Sequence, residues 1–129
     1  MKLALFDLDH TLIPLDSDHA WGEFTTRIGW TDAGDFKRAN DAFFAQYQAG
    51  ALDIHDYVRF STAQIRARGA HAAAQAHERF MHEVIAPAIR PQARALVEWH
   101  RQAGDQLAIV TATNEFVTRP IAASFGVDE

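Results

Sequence analysis

Leu3-Ala4-Leu5-Phe6-Asp7-Leu8-Asp9-His10-Thr11-Leu12 opens the chain with a short apolar run that ends in two carboxylates. Leu3 to Phe6 read as a buried strand, continuous in apolar character and too short for a helix. Asp7 and Asp9 fall where that strand leaves its sheet. On an extended backbone, residues i and i+2 project to the same side, so the two acids share a face. Like charges that close repel one another and need a shared proton or a cation between them. Thr11 adds a hydroxyl and Leu12 a further apolar anchor.

An apolar strand followed by Asp-x-Asp-x-Thr-Leu predicts a phosphoryl-transfer site. Asp7 is the expected nucleophile, since carboxylates attack phosphorus to give an aspartyl-phosphate. Asp9 is the expected general acid for the departing alkoxide and then the base for water. Magnesium is the expected cofactor, because a hard cation offsets repulsion between carboxylate and phosphate oxygens. Ligands of open parallel sheets bind outside the carboxyl ends of the strands, where these acids lie. An Asp there also serves as a turn-capping residue; the apolar strand, the Thr-Leu pair and the N-terminal placement together favour the chemical role.

Asp7-Leu8-Asp9-His10-Thr11-Leu12 resembles the first motif of the haloacid-dehalogenase (HAD) superfamily of phosphohydrolases. Leu107-Ala108-Ile109-Val110-Thr111 resembles the second, an apolar strand ending in a hydroxyl residue. Ala112-Thr113-Asn114-Glu115-Phe116 and the stretch to Phe125 are similar to the phosphoserine-phosphatase-like branch, subfamily IB. The resemblance implies an α/β fold: a Rossmann-like parallel sheet with an inserted helical cap of type C1. It implies that Thr111 hydrogen-bonds the transferred phosphoryl group, with Thr11 and Ala112 beside it. It also implies that the Asp9 backbone carbonyl joins the Asp7 side chain on magnesium. Phosphoserine phosphatases proper carry Ser-Gly-Gly-Phe where this chain reads Thr111-Ala112-Thr113-Asn114-Glu115-Phe116. Without paired glycines the backbone approaches a ligand differently, so a substrate other than phosphoserine is expected. Thr111 also has a local role open to it, satisfying nearby backbone, and Thr113 is the rival for the phosphate contact. Thr113 or Asn114 is the expected cap of the following helix.

The 129 residues are 48% hydrophobic, enough for one core. A net charge of −5 with 12 basic residues in no run argues against a nucleic-acid partner. There is no cysteine, hence no disulfide framework and no zinc–thiolate site. Asp7 and Asp9 interrupt the N-terminal apolar run too early for a signal peptide, and no stretch approaches the roughly 20 apolar residues of a membrane span. A cytoplasmic protein acting on a small phosphorylated metabolite is expected; the oligomeric state is not legible.

Between the motifs the pattern is helical. Asp16-Ser17-Asp18 supplies helix-start chemistry ahead of Trp21, Phe24 and Ile28. Thr31-Asp32 opens a segment in which Phe36, Ala39, Phe43 and Tyr47 form a stripe ending at Gly50, and Asp53 begins one, with Tyr57, Phe60 or Ser61, and Ile65 on one face, that runs to Gly69. The alanine-rich stretch from Ala70 to Ala86 is a strong helix former, which Pro87 ends. Pro91 to Gly104 and Glu115 to Phe125 are further helices, with a strand at Gln106–Thr111. Residues 14–88 are therefore expected to be the helical cap, and 1–13 with 89–129 the α/β core. Asp16 and Asp18 enter the cap beside the site and are candidate substrate contacts, each equally suited to helix capping. Arg59 is a candidate for steering an anionic substrate, set against a solvated helix face.

Only two core strands are legible, Lys2–Leu8 and Gln106–Thr111, and two alone are rarely stable. The resembled family places a lysine and a further acidic motif on later strands. Lys2 and Lys37 both precede Thr111, and Asp128-Glu129 carries no such motif. The chain is thus expected to be the front part of a catalytic domain, poorly active alone. His71, His77 and His82 lack the i, i+4 spacing of a helical metal pair. The expected activity is a magnesium-dependent phosphomonoesterase. The alternatives are a phosphotransferase or phospho-accepting regulatory module, or a non-catalytic fragment.

Overall fold

The computed structural model describes residues 2–127; Asp128 and Glu129 lie outside the described residues. The chain forms a mixed α/β fold. Strand β1 (Leu3–Asp7) leads into α1 (Ser17–Arg27), α2 (Ala33–Gln48), α3 (Ile54–Arg68) and α4 (Ala70–Phe80). A π-helical segment (Met81–Ile85) and a short turn α5 (Ala86–Ala88) follow, then α6 (Pro91–Gln102), β2 (Gln106–Val110) and α7 (Glu115–Ser124). Two compact units result, Met1–Ala20 with His77–Glu129, and Trp21–Ala76. No helix among the described residues is long and apolar enough to cross a membrane.

The first unit is built on β1 and β2, paired in parallel with Leu3 opposite Gln106 and Asp7 opposite Val110. A parallel pair needs a long crossover, and the helices between the strands supply it. Phe6 is buried and meets the His100 ring of α6 edge-on at 5.6 Å. Leu8, Leu12, Ile13, Phe80, Ile85, Val97, Val117 and Ile121 complete a dry core.

The sequence predicts a strand buried on both faces, and here the structure differs. Leu3 and Leu5 are 58% and 61% exposed, alternating with half-buried Ala4 and buried Phe6. Side chains alternate across a strand, and among the described residues only the Phe6 face of β1 is covered.

Pro87 is expected to end the helix, and the helical stretch closes one residue beyond it, at Ala88, with Ile89 extended. The chain passes from α4 into the wider π turn, where Ala86 N–H reaches Met81 O. Pro87, which brings no N–H of its own, sits inside the next turn, and Ile89 N–H closes it on Ile85 O at 3.2 Å. A π turn re-registers the backbone hydrogen bonds locally.

The second unit is helical, and ring contacts dominate it. Phe36 stacks on Phe60 at 5.8 Å, and Phe43 meets Phe60 at 5.0 Å and Tyr57 at 5.5 Å. Phe36 and Phe43 of the α2 stripe therefore face Tyr57 and Phe60 of α3, whereas Tyr47 of the same stripe is exposed and neither helix buries a residue fully. Asp32 and Asp53 cap these two helices through their side chains, as Asp does at helix starts.

His77 ends the alanine-rich stretch of α4 inside the first unit, only 4% exposed. A carbonyl can only accept, so the Nε2–H of neutral His77 donates to Val117 O at 2.9 Å. Burial pushes the His77 pKa below its ordinary value of 6.5. The folded protein thus binds this proton less readily than the unfolded chain. Stability from neutral His77 is full above about pH 6.5 and declines as pH falls toward the lowered folded value. Thermal melts between pH 8 and 5 should show Tm falling on the acid side, with a shallower slope in His77→Gln; an unchanged slope rules out His77 as the group responsible.

Candidate active site

Asp7 is the last residue of β1, and its carboxylate lies at the exposed carboxyl end of the sheet. Its Oδ1 accepts the Leu8 N–H at 3.0 Å and its Oδ2 accepts the Thr11 hydroxyl at 3.3 Å. The chain then turns sharply. Leu8 O accepts the N–H groups of Thr11, Leu12 and Ile13 at 3.0–3.2 Å, and His10 N–H reaches Leu15 O. His10 pays for this turn with a left-handed backbone, φ 56°, a region in which His is more common than most residues. The buried Leu8, Leu12 and Ile13 anchor the turn from beneath.

Asp9, half-buried, is the most heavily engaged carboxylate of the region. Its Oδ1 accepts the Ser17 N–H at 2.7 Å. Its Oδ2 accepts the Thr113 hydroxyl at 3.1 Å and, at 3.5 Å, the Thr111 hydroxyl. Ser17 is fully buried and its Oγ donates to Thr113 Oγ1 at 3.2 Å. Backbone and hydroxyl donors at these distances replace the water that a half-buried carboxylate gives up.

Thr111 follows β2 directly, one position beyond the Asp7–Val110 pair. Its Oγ1 accepts the Thr113 N–H at 3.2 Å, so the hydroxyl has a backbone partner as well as Asp9. Asn114 caps α7, accepting the Val117 N–H at 3.1 Å. Of the two caps read from sequence it is Asn114 that serves. Thr113 turns its hydroxyl to Asp9 instead.

The structure thus brings together Asp7 with Thr11, and Asp9 with Thr111, Thr113 and Ser17. Ala112 is exposed in the loop between the two threonines. Asp16 accepts the His19 N–H at 2.9 Å, the capping alternative read from sequence. Asp18 lies in the first turn of α1. Arg59 belongs to the helical unit, where its guanidinium is ion-paired with Asp56 on a solvated face. The part played by Ser17 was not legible, because its only sequence signal is a generic helix start.

Among the described residues no cluster of three or more His, Cys, Asp or Glu side chains forms a ready metal cage. The donor chemistry nevertheless fits magnesium, which binds through one or two carboxylates together with phosphate and water oxygens. Asp7 offers an exposed carboxylate of the kind that would suit such an ion. The Asp9 side chain is occupied by protein donors, which leaves its backbone carbonyl as the group able to join. Lys37 is paired with Asp41 in the helical unit at 2.6 Å, and Lys2 precedes β1 at the opposite end of the strand from Asp7.

A family model described as haloacid dehalogenase-like hydrolase matches residues 4–129. A histidinol-phosphatase of Neisseria meningitidis serogroup C is 41% identical over 126 residues, covering 98% of this chain and 57% of that protein. A Bordetella pertussis Tohama I protein of unknown function superimposes with TM-score 0.89 at 46% identity, over 98% of this chain and 57% of its own. A phosphoserine phosphohydrolase-like protein of Francisella tularensis superimposes at TM-score 0.65 with 17% identity, which speaks to the fold alone. The chain spans little more than half the length of these relatives.

The left-handed His10 gives the site's turn a direct test. His10→Gly should leave stability within a few tenths of a kcal/mol, whereas His10→Val, β-branched at positive φ, should lose about 1–2 kcal/mol in urea unfolding. Equal stability of the two variants would contradict the turn geometry.

Proposed function

We propose, from the premise that the chain belongs to the haloacid dehalogenase-like hydrolase family, that the whole protein hydrolyses a small phosphomonoester through an aspartyl-phosphate. The observation behind this is the meeting of two distant stretches at one sheet end. Asp7 closes β1, and Asp9 beside it is hydrogen-bonded to the Thr111–Thr113 loop that follows β2.

An Asp7 carboxylate oxygen attacks phosphorus, and the ester P–O bond breaks as Asp9 passes its proton to the departing alkoxide. The alcohol leaves and phosphate remains on Asp7. Asp9, now ionised, takes a proton from water; the water oxygen attacks phosphorus, the Asp7–phosphorus bond breaks, and inorganic phosphate departs. Both proton transfers use one positioned carboxyl, and general acid–base catalysis of this kind contributes about 10²–10⁴-fold. Thr111, Thr11 and the Ala112 N–H are the proposed donors to the phosphoryl oxygens. Magnesium, held by the Asp7 side chain and the Asp9 carbonyl, supplies charge neutralisation between carboxylate and phosphate when bound.

Residues 14–88, which contain the helical unit Trp21–Ala76, are proposed as the substrate-selecting cap, with Asp16, Asp18 and Arg59 as lesser candidates for substrate contact. Histidinol phosphate is the first ester to try, on the strength of the 41% identical Neisseria relative. Ala112 in place of a glycine supports a substrate other than phosphoserine. A cytoplasmic setting suits such a metabolite.

In the whole protein, Asp7→Asn should lower magnesium-dependent hydrolysis of p-nitrophenyl phosphate and histidinol phosphate by about 10³-fold or more, the order expected for removing a nucleophile. Asp9→Asn should still accumulate phosphate on Asp7, visible by intact-mass spectrometry after acid quench. Full activity of Asp7→Asn would sink the nucleophile assignment, and absence of a phosphorylated Asp9→Asn species would count against the covalent route.

A further inference from the structure

We infer that Ser17 and Thr113 are positioning residues for Asp9, fixing the plane of its carboxyl group and the direction in which its Oδ2 faces. The inference rests on the phosphatase reading above and adds two residues to it.

The Ser17 amide lies 2.7 Å from Asp9 Oδ1. A backbone N–H donates and never accepts, so Oδ1 is committed as an acceptor in both protonation states of Asp9. Oδ2 is held differently. That oxygen faces groups of another kind, the hydroxyls of Thr113 at 3.1 Å and Thr111 at 3.5 Å. A hydroxyl rotates to donate or to accept, so it accommodates Oδ2 whether ionised or protonated. Thr113 is itself held by Ser17 Oγ at 3.2 Å, and Ser17 is fully buried. Ser17 thus acts on both carboxylate oxygens, on Oδ1 through its amide and on Oδ2 through Thr113. The carboxyl plane is set by three fixed points instead of swinging about its own side-chain torsion.

Orientation matters most where the acid does most. An alkyl phosphate has a poor leaving group and needs its oxygen protonated as the bond breaks. p-Nitrophenolate leaves with little help. Mispositioning Asp9 should therefore penalise alkyl esters selectively, which a general loosening of the fold does not do. The ratio kcat/KM isolates this step, because it reports events up to departure of the alcohol when phosphoryl transfer to Asp7 is irreversible.

The test uses the whole protein, after wild type shows magnesium-dependent hydrolysis and Asp7→Asn loses it. Failure at that stage overturns the phosphatase reading itself. Thr113→Val and Ser17→Ala are then compared on p-nitrophenyl phosphate and on the alkyl phosphomonoester that wild type turns over best. For Thr113→Val, kcat/KM for the alkyl ester should fall about 10–100-fold, part of the contribution of a positioned general acid, and for p-nitrophenyl phosphate no more than about 3-fold. Ser17→Ala should shift the ratio in the same direction by less, and Thr113→Ser should restore it. Inhibition by inorganic phosphate should be unchanged, since the Thr113 hydroxyl serves Asp9 and not the phosphoryl group. Equal losses on both esters, no loss on either, or weakened phosphate inhibition in Thr113→Val overturns the inference. Should Thr113→Val fail to fold, the leaving-group ratio in Ser17→Ala decides alone.

Discussion

The parallel pairing of β1 with β2 is the constraint on which the rest of the site depends. Asp9 and Thr113 are 104 positions apart in the chain, and no local preference of either segment brings them together. The ladder that sets Phe6 opposite Ile109 and Asp7 opposite Val110 does so. A one-residue slip would turn every side chain of a strand to the other face of the sheet, removing Phe6 from the core and re-aiming Asp7. Phe6 is the one fully covered residue of β1, so its burial against α6 does much to hold that register.

Given the register, the backbone between Leu8 and Ser17 determines what the carboxylates touch. Three N–H groups converge on Leu8 O, His10 adopts the left-handed conformation, and Leu12 and Ile13 fold under. The chain is thereby returned so that the first turn of α1 offers its Ser17 amide to Asp9. Leading N–H groups of a helix have no partner within it. Here one of them meets a carboxylate instead of water, an arrangement that the helix dipole also favours. The two acids consequently live in different surroundings. Asp7 is exposed and lightly bonded, while Asp9 is half-buried and held from several sides, a difference that the proposed roles of nucleophile and general acid would use.

The helical unit is organised on another principle. Its α2 and α3 meet through half-exposed rings, and Phe44, Tyr47, Ile54 and Val58 remain exposed. Leu3, Leu5 and Val110 of the two strands are likewise open. Parallel strands ordinarily have both faces covered.

By itself the sequence determined the strand ends, the acids and the helices, because these depend on short-range rules. An apolar run that stops at Asp7, capping residues such as Asp32, Asp53 and Asn114, and stripes recurring at helical spacing are all local signals. It placed the helix end at Pro87, one residue short of Ala88, and gave no sign of the π segment before it, which depends on local hydrogen-bond register. It overestimated the burial of Leu3 and Leu5, since hydrophobicity records what a residue favours and not what covers it. Only the tertiary structure decided that Ser17 and Thr113 serve Asp9. Their hydroxyls are chemically ordinary, and what distinguishes them is a separation of a few ångströms between residues far apart in the chain, created by strand pairing and a left-handed turn.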